Sequence, residues 1–381
     1  MGPLSRFLPA LALALALVAG CARTGATGAP GQASAPRLLG LDVGWVVSNS
    51  GQILMTPQVA QQVGATGANL ARVEFRTTPF LSATTCVFTA AICKQRQQLA
   101  WQQAYQAYDE VFANLAAAHV QVLGLLDYTT VSGTQAQWTA DNAEHNLGTG
   151  ANPFTAAFAQ TAEQIMAHYE GKIHLWEIWN EPNAWTQSGP NGTYSGGTFM
   201  YPSNYAALLE ATYQDAVVQH HLPVTLISGG VFGHSIGNVY SAQNAGAQYL
   251  DDVFAYWKQD GVKRYPLDAV GEHLYISQGG PVTTGQIQEY LNWVHTVAQS
   301  YTGQDIPTYV TEIGWTRNAV GAQQQAQNLQ VALAAAQAEP YVRGLVVFNF
   351  KGMGYGVYSS AGTPEPSLPI FQTVAKSWEA P

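Results

Sequence analysis

Beyond residue 36, short apolar runs rich in β-branched residues alternate with longer segments whose apolar residues recur at intervals of three and four. Such alternation of the two periods predicts a parallel α/β fold, because adjacent parallel strands need a long crossover that a helix usually supplies. The strand-like runs fall at 38–43, 69–75, 120–126, 173–179, 224–229, 268–275, 307–314 and 342–350. Between them, Trp101, Tyr105, Tyr108, Phe112 and Leu115 mark one buried helix face. Ile287, Tyr290, Leu291, Val294, Val297 and Tyr301 mark another. The helix ahead of 173 opens behind Asn152-Pro153 and stops at Gly171: a side-chain cap, a proline at the first helical position and a glycine at the exit. Pro340 and Gly344 punctuate the last helix-to-strand connection, and 366–378 supplies a final helix.

Eight strands, each followed by a helix, predict a single-domain (β/α)8 barrel over residues 37–381. A doubly wound open sheet would share much of this pattern, but a nucleotide-binding one needs a glycine-rich phosphate loop after its first strand and none stands there. The longest irregular stretches, 77–94, 131–150, 184–200 and 231–246, all follow the carboxyl end of a strand, the rim on which such barrels assemble their sites.

Composition narrows the partners. Apolar residues make up 47% of the chain and Asp, Glu, Lys and Arg together only 10%, which describes a globular protein with a large core. The net charge of -9 leaves no basic face for phosphates, so nucleic acid and anionic lipid are disfavoured and a neutral substrate is expected. No cofactor fingerprint appears. The first strand offers Asp42 and Trp45 where a zinc hydrolase on this barrel would carry His-x-His, and His220-His221 falls at a helix end, suited to the last carbonyls. No metal is therefore expected, and the chain is read as a monomer.

The amino terminus changes the expected compartment. Residues 1–20 read as an export signal, with one positive charge, an apolar run at 7–18 too short to span a bilayer, and small residues after it. Leu17-Val18-Ala19-Gly20-Cys21 resembles the lipobox of bacterial lipoproteins, which implies an acylated Cys21 at residue one of the mature chain; an ordinary secretory peptide is the alternative. Residues 22–36, rich in Ala, Gly, Thr, Ser and Pro, then form a flexible tether, so that 21–36 anchors the domain at the cell envelope. In such an oxidising compartment Cys86 and Cys93 are placed to close a short loop as a disulfide, ahead of a metal site.

Two strand ends carry the candidate chemistry. Residues 174–183 read His-Leu-Trp-Glu-Ile-Trp-Asn-Glu-Pro-Asn at the end of the fourth strand, and 309–315 read Tyr-Val-Thr-Glu-Ile-Gly-Trp at the end of the seventh. Each sets a carboxyl group, Glu181 and Glu312, at the rim. Hydrolysis of a glycosidic bond with retention requires an acid for the leaving oxygen and a carboxylate for the anomeric carbon, about 5 to 5.5 Å apart. Glu177, four residues before Glu181, reads as a buried structural group.

These runs resemble the clan of retaining glycosidases that carries acid/base and nucleophile on strands four and seven, most closely the family 39-like group of β-xylosidases and exopolysaccharide hydrolases. The resemblance implies Glu181 as acid/base, Glu312 as nucleophile and Asn180 as a hydrogen-bonding partner of the sugar hydroxyl beside the anomeric carbon. Arg72 matches the arginine that keeps the nucleophile ionised, although Glu74 could make it a packing salt bridge. His273 and Tyr275, two apart on strand six, match the clan's His-x-Tyr pair, with core aromatics as the plainer alternative. Tyr128 resembles an aromatic lining the sugar site, and Trp185 and Trp315 are either sugar-stacking faces or anchors. On strand eight Phe348-Asn349-Phe350 departs from the clan, which usually places tryptophan there. The expected activity is double displacement on an envelope or extracellular polysaccharide, with transglycosylation or a non-catalytic glycan-binding lipoprotein as the alternatives.

Overall fold

The computed structural model describes residues 37–81, 90–140, 150–184, 198–232 and 245–378. Residues 36–381 form one compact unit, a barrel of parallel strands inside a ring of helices. In chain order the strands are β1 (Leu38–Asp42), β2 (Leu70–Glu74), β3 (Gln121–Leu126), β4 (Leu175–Ile178), β5 (Thr225–Ser228), β6 (Val231–Phe232), β7 (Val270–Leu274), β8 (Thr308–Ile313) and β9 (Val342–Val347). The principal helices are α1 (Pro57–Gly64), α2 (Ala90–Ala117), α3 (Gln135–Trp138), α4 (Pro153–His168), α5 (Pro202–Tyr213), α6 (Ala245–Gln259), α7 (Thr284–Thr302), α8 (Arg317–Val320), α9 (Ala322–Ala338) and α10 (Ser367–Trp378).

The nine strands make eight staves, because the stave of the expected fifth strand continues past a break at Gly229-Gly230 into β6: β5 pairs with β4, β6 pairs with β7, and an Ile227–Ala269 bridge closes the ring. The break has a steric reason. A Cβ on Gly230 would stand 2.0 Å from the His273 ring and 2.6 Å from Thr311 Oγ1, so side chains of neighbouring staves occupy the space that a continuous strand's side chain would fill. Elsewhere the expected strands are shortened by one to three residues at their ends. Three stretches expected to be irregular contain regular structure: α2 already starts at Ala90, α3 sits within 131–150, and β6 and the first residues of α6 fall within 231–246.

Period-two alternation sorts the barrel interior into layers. At the amino-terminal end Leu38, Leu70, Leu123, Ile227, Ala269 and Val346 pack with Leu175 and Tyr309, one residue from each stave, and plug the barrel. Fully burying each of the large aliphatic residues contributes about 1.5 to 3 kcal/mol. Two residues along β2 and β4 the same faces carry Arg72 and Glu177, and four along β1 and β7 they carry Asp42 and His273, all buried. A polar centre therefore rests on an apolar floor.

Helices fix the strand ends that carry this layer. The Asn152 Oδ1 accepts from Thr155 N at 3.0 Å and starts α4 where expected. From α5, the buried Tyr205 hydroxyl donates to Ile178 O at 2.8 Å and accepts from Gly229 N at 2.6 Å, tying β4 to the break after β5. From α2, the Tyr108 hydroxyl donates to Glu74 O at 3.0 Å and accepts from Arg76 N at 2.6 Å, holding the end of β2. Helix α5 runs on into a π-helical turn at Gln214–Gln219, after which His220 Nδ1 lies 2.8 Å from Asp215 O.

Candidate active site

Arg72 is the hub of the carboxyl-end rim. Its Nε donates to Glu177 Oε2 at 2.6 Å and its Nη1 to Glu312 Oε1 at 2.5 Å and to Asp42 Oδ2 at 3.1 Å. Its Nη2 donates to Glu177 Oε1 at 3.2 Å and to Asn180 Oδ1 at 2.8 Å. Burial alone would lower the guanidinium pKa, but Glu177, Glu312 and Asp42 outweigh it and hold the group charged. Glu74, the partner that sequence spacing suggests, instead accepts from Thr129 Oγ1 at 2.9 Å. Because arginine only donates, the amide oxygen of Asn180 must face Arg72, which turns its NH2 group away from the hub.

Glu177 is saturated. Besides Arg72, its Oε1 accepts from Gly230 N and from Thr311 Oγ1, each at 2.9 Å. Thr311 and Glu312 are adjacent yet both reach the interior, which strict alternation forbids. A register shift in the β7–β8 pairing, where Glu272 faces Val310 and His273 faces Glu312, leaves Thr311 as the extra residue of a bulge. The bulge therefore allows one strand to buttress Glu177 and present Glu312 in consecutive positions.

Glu312 and Glu181 converge on β7. Tyr275 Oη donates to Glu312 Oε2 at 2.5 Å, and burial followed by the Glu312 charge raises the phenol pKa, so Tyr275 remains the donor. His273 Nδ1 lies 2.9 Å from Glu181 Oε1 and 3.7 Å from Glu312 Oε2. Burial lowers the pKa of this imidazole, but Glu312 and Glu181 override it and the net direction is upward. One atom each of Glu181, His273 and Glu312 lie within 4.8 Å of one another, a spacing that could also hold a metal ion. The donors are nevertheless committed to each other: Arg72 and Tyr275 take the two Glu312 oxygens, and His273 faces Glu181.

Glu181 sits on a strained turn. Trp179 and Glu181 have φ of 76° and 46°, in the left-handed region that costs a non-glycine residue about 1 to 3 kcal/mol. Surrounding bonds hold the turn: Trp179 N donates to Leu126 O at 2.8 Å and Trp179 Nε1 to Thr198 O at 2.7 Å. The Glu181 carbonyl accepts from both Ala184 N, at 2.9 Å, and Thr198 Oγ1, at 2.8 Å. Asn183 completes the latch by exchanging two bonds with the Phe232 backbone, at 2.7 and 2.8 Å.

The remaining sequence candidates divide. Tyr128 is half-buried, and its pKa is raised by burial and by Asp127, Glu74, Glu181 and Glu312 in turn, which places it in the field of both rim carboxylates. Phe348 joins Tyr275 and Tyr355 in an aromatic wall, with ring centroids 6.4 and 5.3 Å away, and the Phe348–Asn349 peptide is cis. Trp315 is an anchor and not a stacking face: it is 1% exposed and its indole donates to Ile276 O at 2.7 Å. Cys21, Cys86 and Trp185 lie outside the described residues, while Cys93 lies in the first turns of α2.

Four participants escape a reading of sequence pattern. Asp42, which the sequence offers only as a substitute for a zinc ligand, lies on Arg72, and burial raises its pKa to about 6. Thr311 and Gly230 are hidden by the bulge and by the strand break. Tyr355, whose pKa is raised by burial, Glu312 and Glu181, stands in a rim loop with no period to reveal it.

Removing the hub has a calculable cost. Arg72→Met is expected to destabilise the fold by about 3 to 5 kcal/mol, since it leaves buried carboxylates without their cation. Urea denaturation measures this, and a loss under about 1 kcal/mol would show that the carboxylates are neutral without Arg72.

No protein-family model matches the chain, and no curated protein sequence does. Solved structures do. A family 39 glycoside hydrolase from the gut symbiont Bacteroides cellulosilyticus WH2 aligns with a TM-score of 0.60 at 16% identity, over 91% of this chain and 64% of that one. This chain thus spans less than two thirds of that protein. A family 5, subfamily 18 glycoside hydrolase from Streptomyces cattleya, in complex with GlcNAc, aligns with a TM-score of 0.61 at 12% identity, over 91% and 82%. Xylanase 10B from Thermotoga maritima aligns with a TM-score of 0.54 at 12% identity, over 90% and 95%. The likeness establishes a shared (β/α)8 fold, the fold the sequence pattern predicts.

Proposed function

We propose that this chain is a retaining glycoside hydrolase, with Glu312 as nucleophile and Glu181 as general acid/base. The observation that carries the reading is the Glu181–Glu312 approach within 4.8 Å, oxygen to oxygen, at the carboxyl ends of two staves. That separation fits direct attack by one carboxylate. It is too short for the water that an inverting pair, about 6.5 to 9.5 Å apart, must hold between its members.

The surroundings support a division of roles. Arg72 and Tyr275 each donate to one oxygen of Glu312 and hold the carboxyl group in one orientation, as a nucleophile requires. Glu181 faces His273, so a proton can be shared between the two groups until Glu181 gives it up. In the first step a Glu312 oxygen bonds to the anomeric carbon, the glycosidic bond breaks, and the Glu181 proton passes to the leaving oxygen. In the second a water oxygen bonds to that carbon, the ester bond breaks, and the water's proton returns to Glu181. The free NH2 group of Asn180 is poised to donate to the adjacent sugar hydroxyl.

The substrate in this proposal is a polysaccharide or oligosaccharide without acidic groups at the cleavage point, since Asp42, Glu177, Glu181 and Glu312 outnumber Arg72 and His273 there. The compartment is proposed from the leader: export, acylation of Cys21 and a tether at 22–36. A Cys86–Cys93 disulfide belongs to the same reading and is supported by the disulfide-bonded state of Cys93.

The deciding experiment incubates the protein with aryl glycosides and neutral polysaccharides while proton NMR follows the first product. The anomer expected is the one with the substrate's configuration; the opposite anomer would overturn double displacement.

A further inference from the structure

Trp45, in the loop after β1, is 53% exposed, the one aromatic side chain among the exposed large hydrophobic residues described. It is nonetheless held in place. The Arg76 guanidinium carbon lies 3.8 Å from the indole centroid, a cation–π contact that covers one face of the ring. Arg76 is itself buried, and donates from Nη1 to Val47 O at 3.3 Å and from Nη2 to Asn49 Oδ1 at 2.8 Å. The loop is stiff as well: Val47 bridges Ile53 in antiparallel fashion, and Leu54 N and Met55 N both donate to Val46 O. A guanidinium is thus fixed behind one face of a flat apolar ring, and the ring remains open to solvent.

Its place on the rim says what such a ring can meet. Asp42, three residues earlier, lies on Arg72, which holds Glu312. Three residues of chain reach at most about 11 Å, which keeps the Trp45 backbone within that distance of Asp42, on the same rim as the carboxylate pair. On the same loop Gly44, Ser48, Asn49 and Ser50 are small or polar and Leu54 is the other exposed large apolar residue, short of the contiguous apolar patch of several hundred Å² that marks a protein-docking face. One fixed aromatic face among hydroxyl and amide groups suits a sugar ring: the weakly positive C–H face of a pyranose lies on the indole while its equatorial hydroxyls meet polar neighbours.

We propose that Trp45, backed by Arg76, is a stacking platform for a sugar residue outlying from the cleavage point, on the same glycan chain that reaches Glu181 and Glu312. The inference rests on the glycosidase reading and extends it to a chain longer than one sugar. Trp45→Ala and Trp45→Phe are compared with wild type on xylohexaose, cellohexaose and mannohexaose and on the matching p-nitrophenyl monoglycosides. For the hexasaccharide that wild type cleaves, Trp45→Ala is expected to raise KM on the order of tenfold more than for the monoglycoside, and Trp45→Phe to restore most of the loss. A second arm runs the Glu312→Ala protein, with and without Trp45→Ala, through native gels cast with xylan, glucomannan or hydroxyethyl cellulose; the second substitution is expected to abolish retardation. Hydrolysis with equal KM changes on long and short substrates, or none, overturns the platform and leaves the glycosidase standing. Retardation that needs Trp45 but no hydrolysis by wild type keeps the platform and overturns the glycosidase. Neither hydrolysis nor retardation overturns both.

Discussion

Glu312→Ala is expected to slow hydrolysis of an aryl glycoside on the order of 10⁴-fold or more, since no other group can form the covalent bond to the anomeric carbon. The variant should still fold. Arg72 keeps Glu177 and Asp42 as partners, and burial already raises the Asp42 pKa to about 6 partly because Glu312 is an additional negative charge beside it. In the double displacement proposed, the volume vacated beside Arg72 is the one that would face the anomeric carbon, so added azide should enter it and restore turnover as a glycosyl azide. Attack from the nucleophile's own side gives that product the configuration opposite to the substrate's. An azide of unchanged configuration would move the nucleophile elsewhere, and undiminished hydrolysis without azide would remove Glu312 from the chemistry.

Glu181→Gln should discriminate among leaving groups. With an unactivated glycoside the rate is expected to fall about 10²- to 10⁴-fold, the range that general acid catalysis contributes. A dinitrophenyl glycoside needs no protonation of its leaving oxygen, so its first step should be nearly unaffected. Equal losses on both substrates would mean that Glu181 only binds. The substitution also removes one of the two charges that raise the His273 pKa above its usual 6.5. A raised histidine contributes stability that is full below about 6.5 and fades as the pH climbs through the higher folded value. The variant's melting temperature should accordingly depend less on pH than the wild type's above about pH 6.5.

The barrel is legible because its interior follows the simplest rule of a strand. Leu38 and Asp42, Leu70 and Arg72, Leu175 and Glu177 each lie on one face at even spacing, so the floor and the polar centre follow from residue spacing alone. The two rim carboxylates are legible because each stands within two residues of a turn signal at the end of an apolar run, Pro182 after Glu181 and Gly314 after Glu312. What escapes is what breaks the rule. The β8 bulge changes parity between Thr311 and Glu312, and Gly229-Gly230 interrupts a stave, so the side chains around Glu177 cannot be counted from spacing. Trp315 shows the converse limit. A tryptophan beside a strand end that carries a rim carboxylate reads alike whether it meets a sugar or, as here, fastens Ile276.

One carbonyl also shapes how this protein can change. Glu181 O accepts from both Ala184 N and Thr198 Oγ1, so the chain leaves Glu181 and returns to it at a single atom. Ala184 and Thr198 are therefore two independent stops on one carbonyl: a substitution that loosens either leaves the other to hold the Glu181 backbone, so the turn can lose one bond and keep its place.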